Sequence, residues 1–321
     1  MITYTCFYLA SGRASDMAIG DVREVTVGDC SDLYYLDTGM YETEGYGAVY
    51  IRDDERPAIV ETGIGTNYEL ILDALAELDI APEDVAVITV THIHLDHAGG
   101  AGLLAEACPN ADVHIPGVGA SLLADPGKLV AGTKNAVGDQ WQYYVEPEPI
   151  PEDRIVELED GDVIDLGEHE LRVHTAPGHA FHQVVFEDPA NDAVFTGDAA
   201  GIWIPDREEI VETSPPSDFD LEQCLDDTRT IADIDPDVLL YTHFGPRYVG
   251  DDADRALEEY ATVLTEWVNA VEAKRGELDD EELMDHFAAA TDHGDAWSDE
   301  KASAEAAMNV RGVVGYLDGR E

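Results

Sequence analysis

The segment THIHLDHAGG, residues 91–100, places three histidines and one aspartate within six positions: His92, His94, Asp96 and His97. Imidazole nitrogens and carboxylate oxygens are ligands that zinc and similar divalent ions accept. The segment therefore predicts part of a metal site. A complete site would need further ligands from elsewhere in the chain.

Further metal-capable side chains follow three later apolar runs. His179 follows LRVHTA in a Pro-Gly turn, Asp198 follows DAVFTG, and His243 follows DVLLYT. Strand-end loops are where a rigid scaffold carries reactive groups, so we expect these residues to meet the first cluster at one edge of a sheet. Five histidines and two aspartates are too many for one tetrahedral ion. They suit two ions about 3.5–4 Å apart with a shared carboxylate and a bridging hydroxide.

Strand and helix signals alternate around these residues. Short β-branched or aromatic runs predict strands through the first third of the chain, and residues 67–80 have helical spacing. Further helices are predicted over 98–108 and 220–234, and a long loop over 201–219. From residue 251 onward only helical periodicity is present.

These signals predict a main domain over residues 1–250, with an insertion at about 117–150, and a helical extension over 251–321. Three roles are open to the extension: a lid over the metals, a dimer interface, or an extension of the core. The aromatic patch WQYY (141–144) within the insertion could line a substrate pocket or belong to the core.

Taken in order, THIHLDH, APGH, FTGD and THFG resemble the motifs of the metallo-β-lactamase-fold hydrolases, a family that includes glyoxalase II-like thioesterases and lactonases. The resemblance covers roughly residues 20–250 and is strongest to a largely archaeal branch. It implies an α/β protein, an αββα four-layer sandwich with the metals at one edge. It also implies that His92, His94 and His179 hold one ion, that Asp96, His97 and His243 hold the other, and that Asp198 bridges them.

The resemblance implies a hydrolase whose metal-bridging hydroxide attacks the carbonyl of a small ester, thioester or lactone. The cofactors would be two divalent ions, with zinc expected first and iron or manganese as alternatives. Asp96 would orient the nucleophile as well as bind metal. Glu61 in VETGIG departs from the family, which usually has Asp there. Its carboxylate would orient a ligand histidine. His182 stays outside the predicted ligand set.

Three other functions stay open. A mononuclear iron enzyme related to persulfide dioxygenases would need only three protein ligands. A phosphodiesterase could use the same fold on a small phosphodiester. A non-catalytic binding module would have lost ligands, and none of the seven is missing. The full ligand set favours the hydrolase.

The composition is strongly acidic, with 17 Lys and Arg against 70 Asp and Glu and a net charge of −53. Such a chain repels polyanions, so we expect a small-molecule substrate and no nucleic-acid or membrane partner. A homodimer is the expected assembly if the extension forms an interface. Dispersed acidic residues are typical of a halophile, because the Debye length falls to about 3 Å at 1 M salt.

Four dispersed cysteines form no disulfide framework, which indicates a reducing compartment. The N-terminal MITYTCFYLA lacks the basic region of a signal peptide, and no apolar run approaches the ~18 residues of a membrane span. We therefore expect a cytoplasmic location.

Overall fold

The computed structural model describes residues 17–215, 217–291, 294 and 296–320. The segment MITYTCFYLA, on which the expectation of no signal peptide rests, lies outside these residues. Within the described part of the chain, no helix combines the length and the apolar character that crossing a bilayer requires.

The first sheet has seven strands that lie side by side in chain order. Neighbours are antiparallel from the first to the fourth strand and parallel from the fourth to the seventh. The central strands are buried on both faces, as their continuous apolar runs predict. The strands are β1 (Val22–Glu24), β2 (Leu33–Asp37), β3 (Ala48–Arg52), β4 (Ala58–Val60), β5 (Val87–Thr89), β6 (Asp112–Pro116) and β7 (Ile155–Leu158).

The later strands form a six-stranded sheet and a separate hairpin. They are β8 (Val163–Asp165), β9 (Glu170–Thr175), β10 (Val184–Asp188), β11 (Ala193–Gly197), β12 (Ile202–Ile204), β13 (Glu209–Val211), β14 (Val238–Tyr241) and β15 (Gly245–Tyr248). The order in the sheet is β15, β14, β11, β10, β9, β8. β11 and β14 are parallel neighbours, so both end at the same edge.

The hairpin of β12 and β13 lies where the sequence predicts a long loop, and that prediction is wrong for residues 202–211. Ile202 and Ile204 are buried while Trp203 between them is half-buried. This alternation is a strand signal. The turn that joins the strands is a short 3-10 helix over Pro205–Arg207.

Nine α-helices lie in the described part of the chain. The predicted helix over 98–108 is interrupted at Gly99 and Gly100. A Cβ at Gly99 would lie 2.4 Å from the carbonyl oxygen of Leu95, so this close backbone approach requires glycine. The helices are α1 (Tyr68–Glu77), α2 (Leu95–Ala98), α3 (Ala101–Ala107), α4 (Gly117–Ala124), α5 (Gly127–Val137), α6 (Leu221–Ile234), α7 (Ala253–Arg275), α8 (Asp280–Ala290) and α9 (Asp299–Gly319).

The two sheets face each other across a shared core, in which Tyr50 and Val60 of the first sheet join Phe186 and Phe195 of the second. Helices α1 and α3 pack on the outer face of the first sheet. Helices α6, α7 and α9 pack on the outer face of the second. This arrangement confirms the predicted αββα sandwich with C-terminal helices.

The C-terminal helices share their core with the second sheet, because Tyr260 and Val313 pack in one cluster with Val194 and Leu239. They therefore act at least as a core extension. The domain boundary near residue 250 stays a prediction.

Candidate metal centre

The seven predicted ligands come together at one edge of the two sheets. His92 and His94 follow β5, and α2 carries Asp96 and His97 immediately afterwards. Each of the other three lies one to four residues beyond a strand of the second sheet: His179 after β9, Asp198 after β11 and His243 after β14.

Three histidines form what we call the first half-site: His92, His94 and His179. Nδ1 of His94 lies 3.0 Å from Nε2 of His92 and 3.2 Å from Nε2 of His179. Ligand nitrogens around a tetrahedral zinc ion are about 3.3 Å apart, given Zn–N bonds of about 2.0–2.1 Å. Burial lowers the pKa of all three and brings that of His179 to about 3. The imidazoles are therefore neutral and can offer lone pairs.

Asp96, His97 and His243 form the second half-site, and their ligand atoms lie within 4.8 Å of one another. Asp198 stands between the two half-sites. Its Oδ2 lies 3.2 Å from Nε2 of His179, and its Oδ1 lies 3.5 Å from Nε2 of both His97 and His243. Each oxygen of one carboxylate thus faces a different half-site.

Several buried polar atoms at this edge lack a hydrogen-bond partner within the described residues. They include Nε2 of His97 and Oδ1 of Asp198, which face each other. A buried polar atom without a partner costs about 1–3 kcal/mol. A divalent cation between them would satisfy both atoms, so the donor set fits a metal ion.

In two of the histidines, the Nδ1 atom of the imidazole contacts a hydrogen-bond acceptor. Nδ1 of His243 donates to the backbone oxygen of Tyr46 at 2.9 Å. Nδ1 of His97 lies 3.3 Å from Oε2 of Glu61, and the Thr91 hydroxyl donates to Oε1 of the same carboxylate at 2.6 Å. An acceptor at Nδ1 leaves Nε2 free to bind metal. The contact of Glu61 is the one expected of a residue that orients a ligand histidine.

Electrostatics distinguish His97 from the other imidazoles. Burial opposes its charged form, but the carboxylates of Asp198, Glu61 and Asp96 outweigh burial and hold the pKa of His97 well above its usual value. Burial would raise the pKa of Asp198, yet the neighbouring His179 and His97 hold it well below its ordinary range. The carboxylates around His97 thus favour a positive charge at this position.

Two residues outside the predicted set also lie at this edge. His182 and Asp218 place ligand atoms within 4.8 Å of one from His94. Burial lowers the pKa of His182 to about 2. The position of His182 shortly after His179 in the sequence could have indicated that it lies near the metal centre. Nothing in the local sequence distinguishes Asp218 from the many other acidic residues.

A cavity of about 380 Å³ opens onto the metal centre. Such a volume lies within the range of small-molecule sites, about 300–1,000 Å³. Leu129 and Ala136 of α5 line one side, and Met308 and Asn309 of α9 line another. The C-terminal extension therefore supplies a wall of the cavity as well as core.

The aromatic patch WQYY lies beside this cavity. Tyr144 lines the cavity, and the ring of Trp141 stacks on that of Tyr144 with centroids 5.2 Å apart. The hydroxyl of Tyr144 contacts the hydroxyl of Tyr41. Tyr144 is also buried in one cluster with Tyr41 and Tyr46, so both interpretations of the patch, pocket wall and core, hold for this residue.

The family model described as Metallo-beta-lactamase superfamily matches residues 46–243, a span that includes all seven candidate ligands. The metallo-beta-lactamase fold-containing protein ST1585 of Sulfurisphaera tokodaii is 26% identical over 221 residues, which are 67% of this chain and 79% of that protein. The solved structure of ST1585 superposes with a TM-score of 0.66 at 22% identity, and the match covers 89% of this chain and 99% of that one.

Two curated relatives carry names of enzymes. The acyl-coenzyme A thioesterase MBLAC2 of Gallus gallus is 26% identical over 52% of this chain and 62% of its own length. The hydroxyacylglutathione hydrolase of Maricaulis maris is 29% identical over 39% of this chain and 37% of its own length. The chain thus spans less than two thirds of either enzyme.

Proposed function

The chain belongs to the metallo-beta-lactamase superfamily, and from that premise we propose that it is a hydrolase that uses two divalent metal ions. The observation that carries this proposal is the position of Asp198, whose two oxygens face different half-sites. A carboxylate in that position can bind two cations at once and hold them close together.

In this proposal His92, His94 and His179 would hold one ion, Asp96, His97 and His243 would hold the other, and Asp198 would contribute an oxygen to each. The ligands are imidazoles and carboxylates without a thiolate, which favours zinc and leaves iron and manganese as alternatives. When bound, the two ions would lower the pKa of a water molecule between them and polarise a substrate carbonyl.

Asp96 is the ligand that orients the nucleophile. The side chain of Asp96 lines the cavity. It is 26% exposed, whereas that of Asp198 is 7% exposed. Burial would raise its pKa, but His97 and the other nearby histidines outweigh burial and lower it. The carboxylate is therefore ionised at neutral pH and can accept a hydrogen bond from a nucleophile in the cavity.

We propose a small acyl thioester as the substrate, with esters and lactones as neighbouring classes. The names of the two enzyme relatives, an acyl-coenzyme A thioesterase and a hydroxyacylglutathione hydrolase, support this choice. The cavity supports it as well, because Leu129, Ala136 and Met308 offer an apolar wall for an acyl group.

Metal quantification joined to a substrate panel tests the proposal. Protein purified in high salt is assayed for bound metals and for turnover of thioesters, esters, lactones and small phosphodiesters. We expect two divalent ions per chain, with thioester turnover the fastest. Asp198→Ala should lose metal and turnover together, whereas Asp165→Ala, at an exposed carboxylate, should keep both.

Other outcomes would replace the proposal. One iron per chain with oxygen consumption in the presence of a persulfide would identify a dioxygenase. Turnover of phosphodiesters alone would identify a phosphodiesterase. Full metal content and activity in Asp198→Ala would contradict the site assignment itself.

A further inference from the structure

Helix α9 brings a lysine into the interior close to the second half-site. The Ser298 hydroxyl caps the helix by accepting a hydrogen bond from the backbone N–H of Lys301 at 3.2 Å. Lys301 is 5% exposed, and its ammonium pairs with the carboxylate of Glu305 one turn later. Lysine is almost never buried unless it is paired, and Glu305 supplies the partner here.

The same ammonium lies over two aromatic rings. Nζ of Lys301 is 4.0 Å from the ring centroid of Tyr41 and 4.8 Å from that of Tyr46. Both tyrosines are buried. A desolvated cation over an aromatic face is attracted by the negative charge of the ring face. The lysine therefore holds these two rings against helix α9.

Tyr46 in turn holds His243 in two ways. The two rings stack with centroids 4.4 Å apart and planes 29° apart. The backbone oxygen of Tyr46 accepts the hydrogen bond from Nδ1 of His243 at 2.9 Å. Tyr46 thus sets both the ring plane and the tautomer of His243. Nε2 of His243 is left facing Oδ1 of Asp198 at 3.5 Å.

We infer that Lys301 is a positioning residue for the second metal ion: it acts through Tyr46 on His243, so that helix α9 of the C-terminal extension controls the affinity of one half-site. The inference rests on the proposed function, because it treats His243 as a ligand. Within the part of the chain that the structure describes, the hydrogen bonds and ring contacts of His92, His94 and His179 involve neither Tyr46 nor α9.

The two half-sites should therefore respond differently to a change in α9. Loss of a group that orients a metal ligand typically lowers metal affinity 10–100-fold. We expect a loss of that size for the ion of the second half-site and no change for the ion of the first. A role confined to stability would lower the melting temperature and leave both affinities unaltered.

The experiment measures stepwise zinc affinity by chelator competition, and the absorption spectrum of the cobalt-substituted protein, in the full chain. Lys301→Met leaves Glu305 buried without its partner, so Lys301→Met/Glu305→Gln is made as well. Lys301→Arg retains the cation. Lys274→Met is the matched control, because Lys274 is also a helical lysine paired with a glutamate, Glu277, but is exposed.

We expect the double variant to bind the first zinc ion normally and the second 10–100-fold more weakly. We expect Lys301→Arg to recover most of that affinity and Lys274→Met to match the wild type. Unchanged second-ion affinity in the folded double variant overturns the inference while the proposed function stands. A wild-type protein that binds fewer than two ions overturns both, and that failure is visible without any variant.

Discussion

Glu61 and His97 contact each other behind the second half-site, with Oε2 of the carboxylate 3.3 Å from Nδ1 of the imidazole. Glu61 makes this contact from a left-handed backbone conformation, φ 69°, directly after β4. A non-glycine residue in this conformation carries strain of order 1–3 kcal/mol, which the surrounding contacts must offset. The Thr91 hydroxyl, which donates to the second carboxylate oxygen, is one such contact.

We predict that Glu61→Gln weakens metal binding 10–100-fold, because the imidazole of His97 loses a charged acceptor that orients it. Glu61→Asp should also weaken binding, since the shorter side chain withdraws the carboxylate from His97. Chelator competition measures both. Glu77→Gln, at an exposed position of α1, is the control. Wild-type affinity in Glu61→Asp would mean that the length of this side chain is unimportant.

The ligand set could be predicted from the sequence because four ligands form one motif after β5 and each of the other three lies within four residues of a strand end. His179, Asp198 and His243 are far apart in the chain, but strand ends bring them to one edge. The surroundings of these ligands could not be predicted in the same way. Lys301 reaches Tyr46 across more than 250 positions, and only packing of α9 brings them together.

The fold class followed from the resemblance of the motifs to those of the metallo-β-lactamase-fold hydrolases, whereas local breaks in the helices and loops could not be predicted in this way. Helical spacing continues through Gly99 and Gly100, yet the backbone N–H of Gly100 donates to the backbone oxygen of Gly63 at 3.2 Å and not to a carbonyl of its own helix. The hairpin at 202–211 is only three residues per strand, so its alternation is short. Tertiary contacts decide both features.

The acidic surface leads to a prediction about salt. At a net charge of −53, repulsion between carboxylates opposes the compact state. The Debye length falls from about 10 Å at 0.1 M salt to about 3 Å at 1 M, which screens this repulsion. We expect the thermal midpoint, followed by circular dichroism, to rise steadily with KCl over this range. A constant midpoint would remove the case for adaptation to high salt.

Asp227 leads to a prediction about pH. It is buried, its Oδ2 accepts a hydrogen bond from Gly178 N–H at 2.7 Å, and burial raises its pKa to about 7. An aspartate in an unfolded chain titrates near pH ~3.9. Between these values the folded protein binds one more proton than the unfolded chain. The stability that Asp227 contributes is therefore complete below about pH 4 and lost as the pH rises to about 7.

Asp227→Asn keeps an acceptor for Gly178 and removes the titration. We expect its free energy of unfolding, relative to the wild type, to increase by up to about 1.4 kcal/mol per pH unit between pH 5 and 7. Urea unfolding at fixed salt measures this difference. Asp233→Asn, at an exposed position of the same helix, should show no such slope. Parallel stability curves for Asp227→Asn and the wild type would contradict the prediction.

Gly132 allows the size of the acyl group to be tested without damage to the fold. It lines the cavity from α5, and a Cβ added there would meet no other atom within 4 Å. Leucine at this position should narrow the cavity and, because glycine disfavours helix, stabilise the protein by up to about 1 kcal/mol. We expect kcat/KM for long acyl thioesters to fall about tenfold or more in Gly132→Leu, while short acyl groups are little affected.

Gly315→Leu, at an exposed glycine of α9 that also has open space, should give the gain in stability with no change in chain-length preference. An equal loss of activity on short and long acyl groups in Gly132→Leu would place the acyl group elsewhere.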